Sequence, residues 1–252
     1  MHRFFTEEID STAGKIRLTD SNARHAAQVL RLAEGDLIEV GSGDGRDYTC
    51  RIRSITPEEV IAAIEDISGN AAELPLKITL YQGFPKGDKM DLILQKAVEL
   101  GAYRIVPVWM SRSVVKMDAA KAAKRRDRYQ AIAEAAAKQS GRGVIPEVGA
   151  FLSMKDAVED AKKLDRILLP YENAEGMDAA RAYVNAVAKD AKAGTIQSLG
   201  IFIGPEGGFE ESEVKLMEEA GAKTMTLGHR ILRTETAGLS ILSVLGFALD
   251  SD

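Results

Sequence analysis

Residues 199–209 read LGIFIGPEGGF and residues 225–238 read MTLGHRILRTETAG. The first stretch opens as a buried strand over 199–203, stops at Gly204-Pro205, turns on Glu206-Gly207-Gly208 and enters an acidic helix. The second opens as the next strand over 225–227, continues as a loop over 228–233 and passes into an apolar helix from Thr234. Open α/β sheets bind ligands where loops leave the carboxyl ends of neighbouring parallel strands. Both loops bring bare backbone close to something, which points to a small-molecule site.

Upstream, the pattern from residue 76 onward alternates strand and helix. Strands fit 77–81, 104–109, 166–169, 199–203 and 224–227, and helices fit 88–100, 119–140, 153–163, 177–192, 210–220 and 234–249. That order predicts an α/β fold with a mostly parallel sheet covered on both faces. The segment before it reads differently. A helix over 20–32, with Thr19 or Asp20 placed to cap it, is followed by strands at 37–40, 48–55 and 59–67, with Gly43-Asp44-Gly45 as a hairpin turn. Ser68-Gly69-Asn70 and Leu74-Pro75 punctuate a boundary, so two domains are expected, 1–72 and 73–252.

The chain has 252 residues, 45% hydrophobic and 28% charged, ordinary for a globular protein. No run approaches the ~18 apolar residues of a membrane span, and the N-terminus lacks a signal-peptide pattern, so a cytoplasmic protein is expected. One cysteine, Cys50, excludes an internal disulfide and a cysteine-based zinc cluster, and three scattered histidines give no metal site. A net charge of −5 argues against a generic nucleic-acid binder. The charge is uneven, however: 104–142 holds ten Lys/Arg against three acids, and 206–219 holds six glutamates against Lys215. The basic run is either the solvated face of a long helix or a phosphate-binding patch.

Phosphate-binding motifs are missing. The segment Gly83-Phe84-Pro85-Lys86-Gly87-Asp88-Lys89 lacks Walker spacing, no GxGxxG opens a helix after a strand, and no serine nucleophile elbow is present. What remains is a cofactor gripped mainly by backbone, without metal or phosphate. Gly204, Gly207 and Gly208 either make a tight turn or expose polar backbone to a ligand, while Pro205 stiffens the loop. Leu169, Pro170 and Tyr171 end the preceding strand and form a third loop of the pocket. Glu206 either favours the following helix start through its dipole or faces the ligand, and Thr234 either caps the last helix or does the same. His229 reads as a loop residue. The helix from Thr234 is apolar nearly all round and should be buried.

GPEGGF followed by LGHRILRTETA, together with MHRFF at the N-terminus, HAAQVLR at 25–31 and QKAVELG at 95–101, resembles the SPOUT RNA methyltransferases of the RsmE type. The resemblance covers nearly the whole chain. It implies a trefoil knot formed by the last three strand–loop units, a small N-terminal PUA-like β-barrel, and a homodimer packed through the C-terminal helix. It also implies S-adenosylmethionine as cofactor and N3 of a uridine in 16S ribosomal RNA, free or in the small subunit, as target. The cofactor residues so implied are Leu169, Pro170, Tyr171, Ile203, Gly204, Pro205, Glu206, Gly208, Leu227, Gly228, Ile231, Leu232, Thr234 and Ala237. RNA contacts are expected from Arg3, Arg24 and Arg31 in the first domain, and from Lys86, Arg112, Lys124, Arg125, Arg126 and Arg142. Arg233 is the catalytic candidate, stabilising the uridine anion while Glu235 or water takes the proton; alternatively it pairs with Glu235 or Glu206 and only holds the loop. Two rival readings are a non-catalytic RNA-binding or ribosome-assembly protein and a SPOUT ribose 2′-O-methyltransferase, the latter disfavoured by the PUA-like N-terminus and the RILRTETA wording.

Overall fold

The structure, a computed structural model, describes residues 1–43, 45–113, 117–171 and 176–250; Asp44 of the expected hairpin turn lies outside them. The chain forms two compact units, Met1–Glu73 with Ala137–Ile145, and Leu74–Ala136 with Pro146–Asp252. A single cut near residue 72 therefore leaves out the segment 137–145, which packs into the first unit.

The first unit is built from β1 (His2–Phe5), β2 (Ile9–Asp10), β3 (Lys15–Thr19), α1 (Asp20–Arg24), β4 (Leu37–Gly41), β5 (Arg46–Ile55) and β6 (Glu59–Gly69). Its sheet runs β1-β4-β5-β6-β3-β2, with β1 parallel to β4 and the other pairs antiparallel. Alternation along β3 and β5 puts Ile16, Leu18, Tyr48, Cys50 and Ile52 into one core with Phe4, Ile38, Val40 and Val60. Two register shifts between β5 and β6 bend the pair.

The helix expected over 20–32 is corrected by the structure. Regular α-helix ends at Arg24, and His25–Val29 form a π-helical turn in which the Leu30 N–H reaches the His25 carbonyl at 2.9 Å. Arg31 then leaves with φ 54, the left-handed region. Thr19 occupies the N-cap position, but its hydroxyl lies 3.3 Å from Glu8 and caps no backbone N–H.

The second unit comprises β7 (Lys77–Gly83), α2 (Lys89–Glu99), β8 (Ala102–Trp109), α3 (Ala119–Ser140, whose last turn belongs to the first unit), β9 (Glu147–Val148), β10 (Leu152–Ser153), α4 (Met154–Ala161), β11 (Arg166–Pro170), α5 (Met177–Lys192), β12 (Ser198–Ile203), α6 (Glu211–Glu219), β13 (Lys223–Met225) and α7 (Thr234–Leu249). All pairings are parallel, in the order β10-β8-β7-β12-β11-β13 with β9 also on β8. Strands covered on both faces read as continuous apolar runs, and β7 and β12 are buried at nearly every position. One face carries α4 and α6 over a core of Val106, Val158, Leu169, Phe202 and Met217. Tyr81 stacks on its cross-strand partner Phe202 at 4.5 Å and donates to Asp160 at 2.9 Å. On α7, Ile241, Leu242 and Leu245 are buried as it packs against α2, α5, β12 and β7.

Two expectations change here. Both edges of β12 are taken, by β7 and β11, so β13 pairs with the outer edge of β11 instead of neighbouring β12. The last helix is not buried all round: Val244 is 47% exposed and Phe247 90%.

Candidate active site

The carboxyl ends of β11, β12 and β13 open into one cleft of about 1010 Å³. Pro170 and Tyr171 line it from β11, the segment 203–209 from β12, and the segment 226–234 with Ala237 from β13 and α7. Interleaving β11 between the other two strands lets loops far apart in sequence share one space.

The β12 loop is held on three sides. Gly83, at the end of β7, lies so close that a β-carbon on it would stand 2.5 Å from the Pro205 nitrogen; only glycine permits that approach. Gly208 adopts φ 71, which spares a side chain its left-handed strain. Arg112 donates from Nε to Glu210 and from Nη1 to the Gly207 carbonyl, at 2.8 and 2.9 Å. Glu213 accepts from the N–H groups of Ser111 and Glu210, at 2.8 and 2.9 Å, tying the start of α6 to the loop after β8. Because α6 begins at Glu211 with Glu210 as its N-cap, Glu206 lies too far upstream to serve that helix dipole.

Thr234 is likewise not a cap. Arg233 holds the N-cap position of α7, and Thr234 is its first helical residue. Its hydroxyl donates to the Gly204 carbonyl at 2.6 Å and accepts from Gln82 Nε2 at 2.8 Å. Gln82 is fully buried and also donates to the Gly83 carbonyl at 3.0 Å. An amide NH₂ can only donate, so the single hydroxyl proton must go to Gly204. Gln82, Thr234 and Gly204 thus latch β7, α7 and the β12 loop together. Sequence reading missed Gln82; a lone side-chain amide in a buried strand was its signal.

Lys89, also missed, borders the cleft from α2. Its ammonium lies 2.9 Å from Glu206 Oε1 and 3.4 Å from Glu235 Oε2. Glu206 Oε1 also accepts the Lys86 N–H at 3.1 Å. Burial would push the Glu206 carboxyl up, but the Lys89 ammonium and the N–H groups of Glu206 and Lys86 outweigh it and hold it below the usual carboxylate range. The same hydrogen bond raises Lys89 above its usual value. Lys89 therefore takes both carboxylates that could have tied Arg233 down. Arg233 is exposed and lines the cleft, with no ion pair among the described residues.

Other sequence expectations fare unequally. Leu169 is fully buried in the core and does not line the cleft, because β11 turns it away just before Pro170. Glu235 does not line it either, its carboxylate being drawn to Lys89. Arg142 is 2% exposed, with Nε and Nη2 each 2.8 Å from Glu73, and Arg3 is buried between Glu39 and Asp47. Guanidinium groups enclosed in this way are not free to meet phosphate, which corrects both as RNA contacts. Arg24, Arg31, Lys86, Lys124 and Arg126 are exposed, Arg125 is half-buried with its guanidinium over the Phe84 ring, and Arg112 sits on the cleft rim.

A parallel α/β unit with a backbone-walled cleft at the carboxyl ends of its strands, in a chain that also holds a small β unit, defines a ligand-binding class of protein. Residues 72–246 match the RNA methyltransferase domain family, and residues 18–65 match the RNA methyltransferase PUA domain. The chain belongs to this family, which includes the ribosomal RNA small subunit methyltransferase E proteins. The Bacillus subtilis protein of that name is 36% identical, over 98% of this chain and 96% of its own length. The Neisseria gonorrhoeae protein of that name, solved bound to S-adenosyl methionine, superposes with a TM-score of 0.81 at 33% identity, covering 96% of this chain and 95% of its own. A putative methyltransferase from Legionella pneumophila, in complex with the bound cofactor SAM, superposes with a TM-score of 0.80 at 31% identity over 98% and 97%.

Proposed function

We propose that this protein transfers a methyl group from S-adenosylmethionine to N3 of one uridine in 16S ribosomal RNA, acting in the cytoplasm as a homodimer. The observation that carries the reading is the cleft itself, built on the three loops with backbone walls and a guanidinium, that of Arg233, which has no ion pair among the described residues. The fit to the cofactor is good. The molecule carries no phosphate, and the cleft offers polar backbone at Gly204, Gly207 and Gly208 in place of a phosphate cradle. Ile231, 89% exposed on the cleft, gives an apolar surface suited to a purine face. Pro170, Tyr171, Ile203, Gly204, Pro205, Gly208, Leu227, Gly228, Ile231, Leu232 and Ala237 would hold it, with Thr234 fixing the Gly204 carbonyl.

Bound there, the cofactor supplies an electrophilic methyl on a positive sulfonium, so no metal is required. Arg233 stabilises the negative charge that spreads onto the uridine carbonyl oxygens as N3 loses its proton, since a guanidinium keeps its charge and offers paired donors. RNA phosphates meet Arg24 and Arg31 on the first unit, and Lys86, Arg112, Lys124, Arg125 and Arg126 on the second. The exposed Val244 and Phe247 on α7 supply the apolar surface of the dimer. The trefoil knot also belongs to this reading, because after β12 the chain crosses β11 to form β13 before α7 returns to the middle of the sheet. Mapping modified nucleotides in 16S ribosomal RNA from a strain lacking this gene tests the proposal. One N3-methyluridine should vanish, and an unchanged modification profile overturns the assignment.

A further inference from the structure

Resting on uridine N3 as the target, we propose that Glu206 is the proton acceptor of the reaction, held in place by Lys89. Loss of the N3 proton needs a base within reach of the cleft, and Glu235, drawn to Lys89, does not line it. Glu206 does line it. Its Oε1 accepts from the Lys86 N–H and the Lys89 ammonium, at 3.1 and 2.9 Å. Its backbone is fixed as well, since Pro205 before it is wedged against Gly83 and the Gly207 carbonyl after it is bonded by Arg112. A carboxylate anchored in this way is presented to the cleft in a defined direction.

Besides Lys89 and Glu235, the charged or titratable side chains around this cleft are Arg112, Tyr171, Glu211, His229, Arg230 and Arg233. The arginines cannot accept a proton at neutral pH. Glu211 and His229 are exposed, and no hydrogen bond fixes either side chain among the described residues. The carboxyl of Glu206 stays ionised at neutral pH, because Lys89 and two N–H groups outweigh its burial.

In the step, the N3–H bond breaks and its proton joins the Glu206 carboxylate. The electron pair left on N3 forms the bond to the methyl carbon, and the carbon–sulfur bond of the donor breaks with its pair going to sulfur. Glu206, with 29% of its side chain accessible, then returns the proton to water.

The test compares wild type with Glu206→Gln in single-turnover methylation of RNA carrying either uridine or 5-fluorouridine, whose N3 proton is more acidic. Cofactor affinity is measured in parallel by calorimetry. Glu206→Gln should bind cofactor within about three-fold of wild type yet methylate uridine ~10²-fold or more slowly, the scale of a lost general base. The deficit should shrink on 5-fluorouridine, and the variant's rate should climb with pH where the wild-type rate is level. Glu206→Asp, which keeps a carboxylate, should recover part of the loss, and Lys89→Met should show the same substrate and pH signature in milder form. A normal rate in Glu206→Gln, an equal deficit on both RNAs with a pH profile parallel to wild type, or lost cofactor binding overturns the proposal. So does the same signature arising from Glu211→Gln or His229→Ala instead. Wild-type protein that yields no N3-methyluridine overturns the functional reading, and this inference with it.

Discussion

Replacing Thr234 by valine keeps the side-chain shape and removes only the hydroxyl at the centre of the latch. Two groups then lose their partner: the Gly204 carbonyl, which accepted at 2.6 Å, and one hydrogen of Gln82 Nε2, which donated at 2.8 Å. Both lie in a part of the molecule where Thr234 is 6% exposed and Gln82 fully buried. A buried polar group left unmade costs about 1–3 kcal/mol, and the half-buried Gly204 falls at the lower end, so about 2–4 kcal/mol is expected in total. Gln82→Met should cost less, because it also removes the buried Oε1 that has no partner among the described residues. The two positions should couple by about 1 kcal/mol in a double-mutant cycle. Urea unfolding followed through Trp109, the only tryptophan and a residue of the second unit, reads this directly. The midpoint should fall with the slope unchanged, and cofactor affinity should fall with it. A Thr234→Val unfolding free energy within roughly 0.5 kcal/mol of wild type, the size of a surface substitution, or strict additivity with Gln82→Met would refute the latch.

Other outcomes follow from the same geometry. Gly83→Ala should weaken cofactor binding by displacing Pro205, since its β-carbon would sit 2.5 Å from that nitrogen; calorimetry showing native affinity would contradict this. In the first unit, burial would raise Glu73, but Arg142 and the N–H groups of Val144 and Gly143 outweigh it and hold the carboxyl below its ordinary value. A depressed folded value gives stability that is present above the unfolded value of about 4.3 and is lost as pH falls through the folded one. The protection of β5 and β6 amides, taken relative to their intrinsic exchange at each pH, should therefore fall in acid for wild type, and already at neutral pH in Glu73→Gln, by about 3 kcal/mol, the scale of breaking a buried pair. Reversing Lys124, Arg125 and Arg126 to glutamate should flatten the salt dependence of RNA binding by roughly 0.7–0.9 log units per lost contact, with cofactor affinity unchanged. Arg233→Ala should leave cofactor binding within a few-fold and slow single-turnover methylation by ~10²-fold or more; lost binding instead would assign it a structural role.

Much of the second unit was legible because its helices are long and periodic. Ala119–Ser140, Met177–Lys192 and Thr234–Leu249 fall on the residues expected from apolar spacing and flanking glycines. Pairings of two residues, such as β9 and β10, carry no period and escaped notice, as did β1 and β3. The π-helical turn at His25–Val29 escaped too, because an alanine-rich amphipathic run reads equally well as continuous α-helix. Sheet order was hidden for a different reason: nothing local to β13 encodes that its neighbour is β11. The candidate site divides along the same line. Its glycine loops announce themselves, since bare backbone is visible in the letters. The Lys89–Glu206 pair joins residues 117 apart in the chain, and only the fold brings them together. Arg3 and Arg142 were misjudged because a basic letter does not reveal a buried carboxylate partner.

The most direct measurement is reconstitution. Purified protein is incubated with labelled S-adenosylmethionine and small ribosomal subunits or 16S ribosomal RNA from cells lacking the gene, and the RNA is digested to nucleosides. Label should appear in a single N3-methyluridine per 16S molecule. Label on a ribose hydroxyl, on another base or nowhere would contradict the account.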